Sequence, residues 1–278
     1  MTDALADHGL IHLSGARNAA RAIGHAGRYA RWRRERPAPR DIATVDATRR
    51  DRALALLPAT GSGGVAESAS KELLRLYGVP VPVGGLTASI DEALALADAV
   101  GYPVVLKIEA DGVHHKTEVG GVTLGVASDV QLRAEYAALL ARVAARAPGA
   151  RIRGVRVERM ASGLVELIVG GRNDPTFGPI IVAGLGGVLT EALGDVSTRL
   201  APVDVDEARR MLDELRGAAL LGPFRGRPAA DVAAAAAVVA RVSQMLVELP
   251  ELREVDLNPV LVGAAGDGCV AVDGLAVV

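Results

Sequence analysis

From about residue 65 the chain alternates short Val-, Ile- and Leu-rich runs with helix-length segments that carry their own start and stop signals. This punctuation leaves few folds open. The runs "YPVVLKIEA", "GGVTLGVA", "RGVRVERM", "LVELIVGGR" and "GPIIVAGLGG" have the length and composition of strands. Between them, Ser89 and Glu92 form a capping box for a helix over 90–100 that Gly101 closes. Ser128 starts a helix reaching about Arg146, and Asp204 with Glu207 starts another. "SKELLRLYG" reads as a short helix stopped by Gly78, and "VPVPVG" as an extended entry segment. A long alanine-rich helix runs from about Asp231 to Glu248, and the chain finishes on "LREVDLNPVLV" and "GCVAVDGLAVV", two apolar strands. The pattern predicts an α+β (α/β) fold without an internal repeat.

Ahead of this region lies a segment of different character. Residues 17 to 52 hold eleven arginines against four acids, a balance of +7 in a chain whose net charge is −2. Ala19, Ala22, Ile23, Ala26, Tyr29 and Trp32 recur at helical spacing, which predicts one basic amphipathic helix ending before Pro37. Such a helix could meet nucleic acid or an anionic membrane. With few interleaved aromatics, the better reading is a solvated helix packed on a partner domain. "PATGSGGVAES", at 58–68, reads as a linker.

At 278 residues the chain can hold one large domain or two modest ones. Aromatics make up 3%, so any core is built from Val, Leu, Ile and Ala. No apolar run approaches the roughly 18 residues that span a bilayer, and the start lacks the pattern of a signal peptide. The lone cysteine, Cys269, excludes an internal disulfide and a cysteine-based zinc site. A soluble, cytoplasmic protein is expected.

Lysine usage is the sharper clue. Of 31 basic residues only three are lysines, and two of those are Lys107 and Lys116. A compact ammonium in an arginine-rich chain hints at a specific anion. Lys107 sits inside an apolar strand, and Lys116 lies in "HHKTEVGGV", where Gly120 and Gly121 free the backbone for close approach and leave N–H groups pointing at a ligand. The pair reads as a phosphate cradle or, equally, as a hairpin with a snorkelling lysine. It is not a P-loop, since no such motif occurs. In "EVDLNPV", Asp256 and Asn258 share a strand face, and Asp273 in "AVDG" comes from the next strand. Oxygen donors converging there suit Mg²⁺; a polar strand edge or an Asx turn before Pro259 is the plainer alternative. "GLGGVLTEALGDVSTRLAP" offers Gly184, Gly186 and Gly187 for tight turning, followed by Glu191, Asp195 and Arg199. Glu166 stands in the otherwise apolar "VELIVG" and either meets a cation or faces solvent.

Taken in order, "LYGVPVP", "GYPVVLKI", "HKTEVGGV", "VELIVGGRNDPTFGPIIVAGLGG", "TEALGDVSTRLAP", "GPFRGRP" and "EVDLNPV…AVDG" resemble the ATP-grasp subunit of the NDP-forming acyl-CoA synthetases. That group includes ADP-forming acetyl-CoA synthetase, and the chain is more distantly similar to the succinyl-CoA synthetase beta subunit. The likeness covers roughly residues 66–278. The earlier "LIHLSGARNAARAIGHAGRYARWRRERP" resembles the tail of the preceding CoA-ligase domain in fused members, which favours an interdomain helix over a nucleic-acid or membrane contact.

The resemblance implies an ATP-grasp fold of two α+β lobes with the nucleotide between them over 65–278, a small lid lobe at about 103–158, and a basic helix and linker over 1–64. It implies that Lys107 contacts ATP or ADP phosphates under a Gly120-Gly121 lid, and that Glu158, Arg159 and Met160 form the adenine hinge. Glu166, Gly186 and Gly187 also fall at the nucleotide site. Asn258 and Asp273 would bind Mg²⁺, with Asp256 and Glu191 nearby. His115 matches a histidine implicated as a phosphoryl acceptor, with Lys116 beside it and Arg199 a candidate for neutralising transferred phosphate. The hinge departs from the usual Gln-Glu-Met-like run, and His114 is an extra residue read as a bystander. The family reaction is acyl-CoA + NDP + phosphate ⇌ acid + CoA + NTP, by way of a phosphohistidine. Its CoA-binding module has no counterpart here, so the chain is expected to need an alpha-type CoA-binding partner that supplies acid and CoA, or else to be a fragment or degenerate paralogue. Rival readings are a non-catalytic nucleotide-binding regulatory subunit and a stand-alone carboxylate–amine ligase.

Overall fold

The alternation "VLKIE" and "VRVE" governs how the first half of the molecule packs. In a strand, successive side chains leave opposite faces, so Leu106, Ile108, Val155 and Val157 enter one core while Lys107, Glu109, Arg156 and Glu158 share the reverse face. A computed structural model describes residues 15–35, 45–58, 63–113, 116–187 and 194–278. His114, His115 and Glu191 lie outside the described residues. Contacts divide the chain into two units, Met1–Thr44 and Val45–Val278.

In the first unit, helix α1 (Ala16–Glu35) fits the predicted basic helix. Of its apolar positions, Ile23 is 71% and Tyr29 60% exposed, while Ala19 and Ala22 are half-buried.

The second unit starts with α2 (Ala47–Leu54) and α3 (Glu67–Leu76). Arg49 on α2 grips buried Glu248 with two side-chain bonds, and its guanidinium lies 4.9 Å over the Tyr77 ring. These contacts tie α2 to the helix layer of the same unit. Part of the expected linker is also built into it. The Val65 amide donates to Ala276 and the side chain is buried, so an apolar anchor overrides the glycine-rich composition.

The smaller sheet joins β1 (Gly84–Thr87), β2 (Val104–Asp111), β3 (Val122–Val126) and β4 (Arg151–Arg159) in the antiparallel order β1-β4-β2-β3. Helices α4 (Ile90–Val100) and α5 (Asp129–Arg146) cover its apolar face. Ser89 Oγ caps α4 through the Glu92 amide, and Gly101 ends it at φ +83°. β1 begins at Gly84, the last residue of the segment that reads from the sequence as an extended entry, and runs on beyond it.

The larger sheet contains β5 (Val165–Asp174), β6 (Gly178–Leu185), β7 (Val196–Leu200), β8 (Glu254–Val262), β9 (Cys269–Ala271) and β10 (Leu275–Val277). Its order is β10-β8-β5-β6-β7, with β9 also on β8 and every pairing antiparallel. Helices α6 (Val205–Asp213) and α7 (Val232–Glu248) back one face. Leu73, Leu74 and Tyr77 of α3 join this second core. Two separate aliphatic cores thus stand behind two sheets, the arrangement the α+β expectation described. No helix among the described residues is long and apolar enough to cross a membrane.

Candidate functional site

Helix α3 carries its apolar face in the larger core and turns Glu67 and Lys71, one helical turn apart, onto the charged face of the smaller sheet. There all three lysines of the chain converge on one carboxylate. Glu67 lies 2.9 Å from Lys71, 3.7 Å from Lys107 and 2.6 Å from Lys116. Glu158 pairs with Lys71, with Lys107 at 3.2 Å and with Arg156 at 3.5 Å. Glu109 meets Arg156 at 3.5 Å and accepts from the Ser68 hydroxyl. Lys107 also donates to the Val272 carbonyl, which links the two sheets.

Nearly all of these groups are buried. Burying charge is costly unless it is compensated, and even a well-paired cluster is a poor source of stability. Its presence argues for function. Burial would raise the Glu67 carboxyl, but Lys71, Lys107 and Lys116 outweigh it and hold the group down at about 2. Burial and neighbouring Lys107 lower Lys71. Burial also works against charge on Lys107, yet Glu158, Glu67 and Asp273 raise it overall.

A cavity of about 360 Å³ opens beside this cluster. Glu67, Glu109 and Lys116 line it from one side, and Asp256, Asn258 and Asp273 from the other. Asp256 projects from the sheet face that the helices leave open. A bulge in β8 sets Asn258 and Pro259 against the single residue Ile168. Asp273 follows β9, where the chain turns into β10 and brings Leu275 beside Asp256, and its carboxylate is 4.0 Å from Lys116. Oxygen donors on one wall and an ammonium on the other suit a divalent cation that travels with phosphate. Among the described residues no group of three His, Cys, Asp or Glu is placed to hold a metal; an ion bound here would take few protein ligands and complete its shell with phosphate and water.

Other expected residues fall elsewhere. Asp256 registers with Gly170, Gly170 with Val182, and Val182 with Thr198, so these four share the open face. Arg199 registers with buried Ile181 and therefore leaves the opposite, helix-covered face. Its guanidinium is held by Glu207 and Glu214, each at 2.7 Å. It is not turned toward the cavity. Glu166 does share the open face, with the Gly186 amide bonded to its carbonyl and Gly187 alongside, but these three lie beyond the cavity wall.

The glycine turn also differs from expectation. The amides of Gly120 and Gly121 donate to the Thr117 and Lys116 carbonyls, so they close a turn rather than point at a ligand. Arg142 and Arg146 of α5 fasten that turn through the carbonyls of Gly120 and Glu118. At the expected hinge, the Arg159 and Met160 amides donate to Val83 and Pro103, and the Glu158 side chain is committed to the lysine cluster. Glu67 and Lys71 were not singled out by sequence reasoning. Their signal is Lys71 itself, the third lysine of a chain that otherwise uses arginine.

The chain is similar to known proteins over most of its length. A model of the ATP-grasp domain matches residues 57–278. An ADP-forming acetate–CoA ligase from Archaeoglobus fulgidus is 39% identical over 249 residues, covering 89% of this chain and 36% of the relative. The beta subunit of an ADP-forming acetate–CoA ligase from Pyrococcus furiosus is 36% identical over 74% of this chain and 88% of its own length. A structure of the dinucleotide-forming acetyl-coenzyme A synthetase 1 of Ca. Korarchaeum cryptofilum, in complex with coenzyme A, Ca-AMPCP and HgCl+, superposes with a TM-score of 0.74. It is 37% identical and covers 77% of this chain and 93% of that one. The chain spans about a third of the length of the longer relatives it matches.

Proposed function

This chain belongs to the ATP-grasp family, and on that premise we propose that it is the nucleotide-binding part of an ADP-forming acid–CoA ligase. The reaction is acyl-CoA + ADP + phosphate ⇌ carboxylic acid + CoA + ATP, carried out with an alpha-type CoA-binding partner. One observation carries the reading: Lys116 and the Asp256, Asn258 and Asp273 oxygens line one cavity, next to Lys107.

In this reading residues 65–278 bind the nucleotide, with the smaller sheet as the covering lobe. Lys107 and Lys116 take the phosphate oxygens. Charge-assisted contacts of this type are worth about 1.5–3 kcal/mol each. Asp256, Asn258 and Asp273 supply hard oxygen donors for Mg²⁺, which would screen and orient the phosphates, and Glu191 is a further donor by its place in the family motif. His115, adjacent to Lys116 in the chain, accepts the phosphoryl group from the phosphohistidine of the CoA-binding partner, whose P–N bond breaks as the bond to His115 forms. As the P–N bond of His115 breaks in turn, a bond forms to the terminal oxygen of ADP. Lys116 stands next to the transfer, where positioning and charge neutralisation are what such chemistry needs. Arg199 is assigned a structural role on the far face of the sheet. The base is held near residues 158–160 by groups other than the two amides engaged within the fold, and Glu166, Gly186 and Gly187 border the same open face.

The test is CoA-dependent ATP turnover with a panel of carboxylic acids, with and without a candidate alpha-type partner. Turnover is expected only with the partner present. Incubation with γ-labelled ATP is expected to leave an acid-labile, base-stable label that His115→Ala removes. Label persisting in that variant takes His115 out of the mechanism.

A further inference from the structure

Glu67 is shared by every lysine in the chain and also lines the cavity. Both of its oxygens are buried, with Oε1 2.9 Å from the Lys71 ammonium and Oε2 2.6 Å from that of Lys116. Its compensation comes from ammonium groups, each a compact charge with rotatable donors. A carboxylate held in this way can be exchanged for another anion that takes over the same donors. The surroundings favour such an exchange. Four cations, Lys71, Lys107, Lys116 and Arg156, meet three carboxylates, Glu67, Glu109 and Glu158. Lys71 is fully buried and stays with Glu67 and Glu158, whereas Lys116 reaches the cavity.

We propose that Glu67 is a resident counter-ion of the nucleotide site, holding Lys107 and Lys116 in position and giving them up to phosphate oxygens when the ligand enters. The proposal rests on reading the cavity as a nucleotide site. It makes Glu67 a positioning residue that sets affinity by competition: every phosphate contact to Lys107 or Lys116 is made against an attraction already present.

The experiment is calorimetric titration of the full chain with metal-free inorganic pyrophosphate and, separately, with MgADP, comparing wild type with Glu67→Gln. Removing the competitor is expected to lower the Kd for both ligands by about fivefold or more, equivalent to roughly 1 kcal/mol. A purely structural role would loosen the lysines and weaken both ligands, so equal or weaker binding by folded Glu67→Gln overturns the proposal. Because that change leaves Lys71 under-compensated, the double variant Glu67→Gln/Lys71→Met is measured in parallel. It removes one charge of each sign, and the same tightening is expected. Unchanged or weaker affinity in the double variant overturns the proposal even where the single variant does not fold. Wild type that binds pyrophosphate but not MgADP contradicts the nucleotide reading and leaves the Glu67 comparison legible.

Discussion

Lys107 stands directly opposite Arg156 in the β2–β4 ladder, a juxtaposition of like charges that ordinarily repels. Here Glu158 lies within 3.2 Å of one and 3.5 Å of the other, and Glu67 within 3.7 Å and 4.0 Å. The sheet face is therefore organised around shared carboxylates, and the cavity opens where the cations have an unfilled demand for negative charge.

Lys107→Met keeps most of the buried stem and removes the ammonium. Nucleotide affinity is expected to fall roughly 10- to 100-fold, the worth of one lost charge-assisted contact. The variant also leaves Glu158 and Glu67 less compensated, so unfolding in urea is expected to show a loss of about 1–3 kcal/mol. Calorimetric binding and denaturant titration separate the two effects.

Asn258→Ala removes a hard oxygen donor, and Asp273→Asn replaces a carboxylate that also lies 4.0 Å from Lys116 by a neutral amide. Each is expected to raise the Mg²⁺ concentration needed for half-maximal nucleotide binding by about tenfold, while binding of metal-free pyrophosphate is unchanged in Asn258→Ala and equal or tighter in Asp273→Asn, which loses a negative charge beside Lys116. Equal weakening of both ligands would assign these residues to the phosphate contact instead.

Glu67 makes stability depend on acid. Its ordinary value is 4.5 and its folded value about 2, so the folded state favours the ionised form. The stability it contributes is fully present above about pH 4.5 and is lost as pH falls toward about 2, on the order of 3 kcal/mol over that window. Denaturant unfolding at about pH 6 and pH 3 should show about 2 kcal/mol of this loss in wild type and a smaller one in Glu67→Gln. Parallel curves would mean that Glu67 is not held as an ion.

At Gly121 an added Cβ would lie 2.5 Å from Ile108 Cγ2 and 3.0 Å from the Lys116 carbonyl. Gly121→Ala must therefore open the turn that carries Lys116, and a destabilisation of about 1–3 kcal/mol is expected in urea unfolding. Affinity for nucleotide should fall with it, because the Lys116 position depends on that turn.

Much of the scaffold was legible because its signals are local. Ser89, Ser128 and Asp204 cap the helices they were expected to cap, and the apolar runs became strands, except that "GCVAVDGLAVV", read as one strand bearing Asp273, divides into β9 and β10 with Asp273 in the turn between them. Short elements went unread: β1 and β7 are only four and five residues long, and their pairing is decided by tertiary partners. Missing β7 also hid the face to which Arg199 belongs. Glu67 read as part of the 58–68 linker and Lys71 as one residue of a short helix, since nothing local shows that α3 starts at Glu67 and buries both residues against a second element. The glycine amides misled for a related reason: glycine signals freedom of backbone, but whether its N–H meets a ligand or a carbonyl depends on how the turn closes.

The central claim is that the cavity beside Lys107 and Lys116, and not the helix-covered face bearing Arg199, takes the nucleotide. The most direct measurement is MgATP titration of wild type, Lys107→Met, Asp273→Asn and Arg199→Gln, each also followed by unfolding with ligand present at about 100 times the wild-type Kd. Wild type and Arg199→Gln should bind alike and gain about 2.7 kcal/mol, while Lys107→Met and Asp273→Asn should gain much less. Binding lost in Arg199→Gln but retained in Lys107→Met and Asp273→Asn would contradict the account.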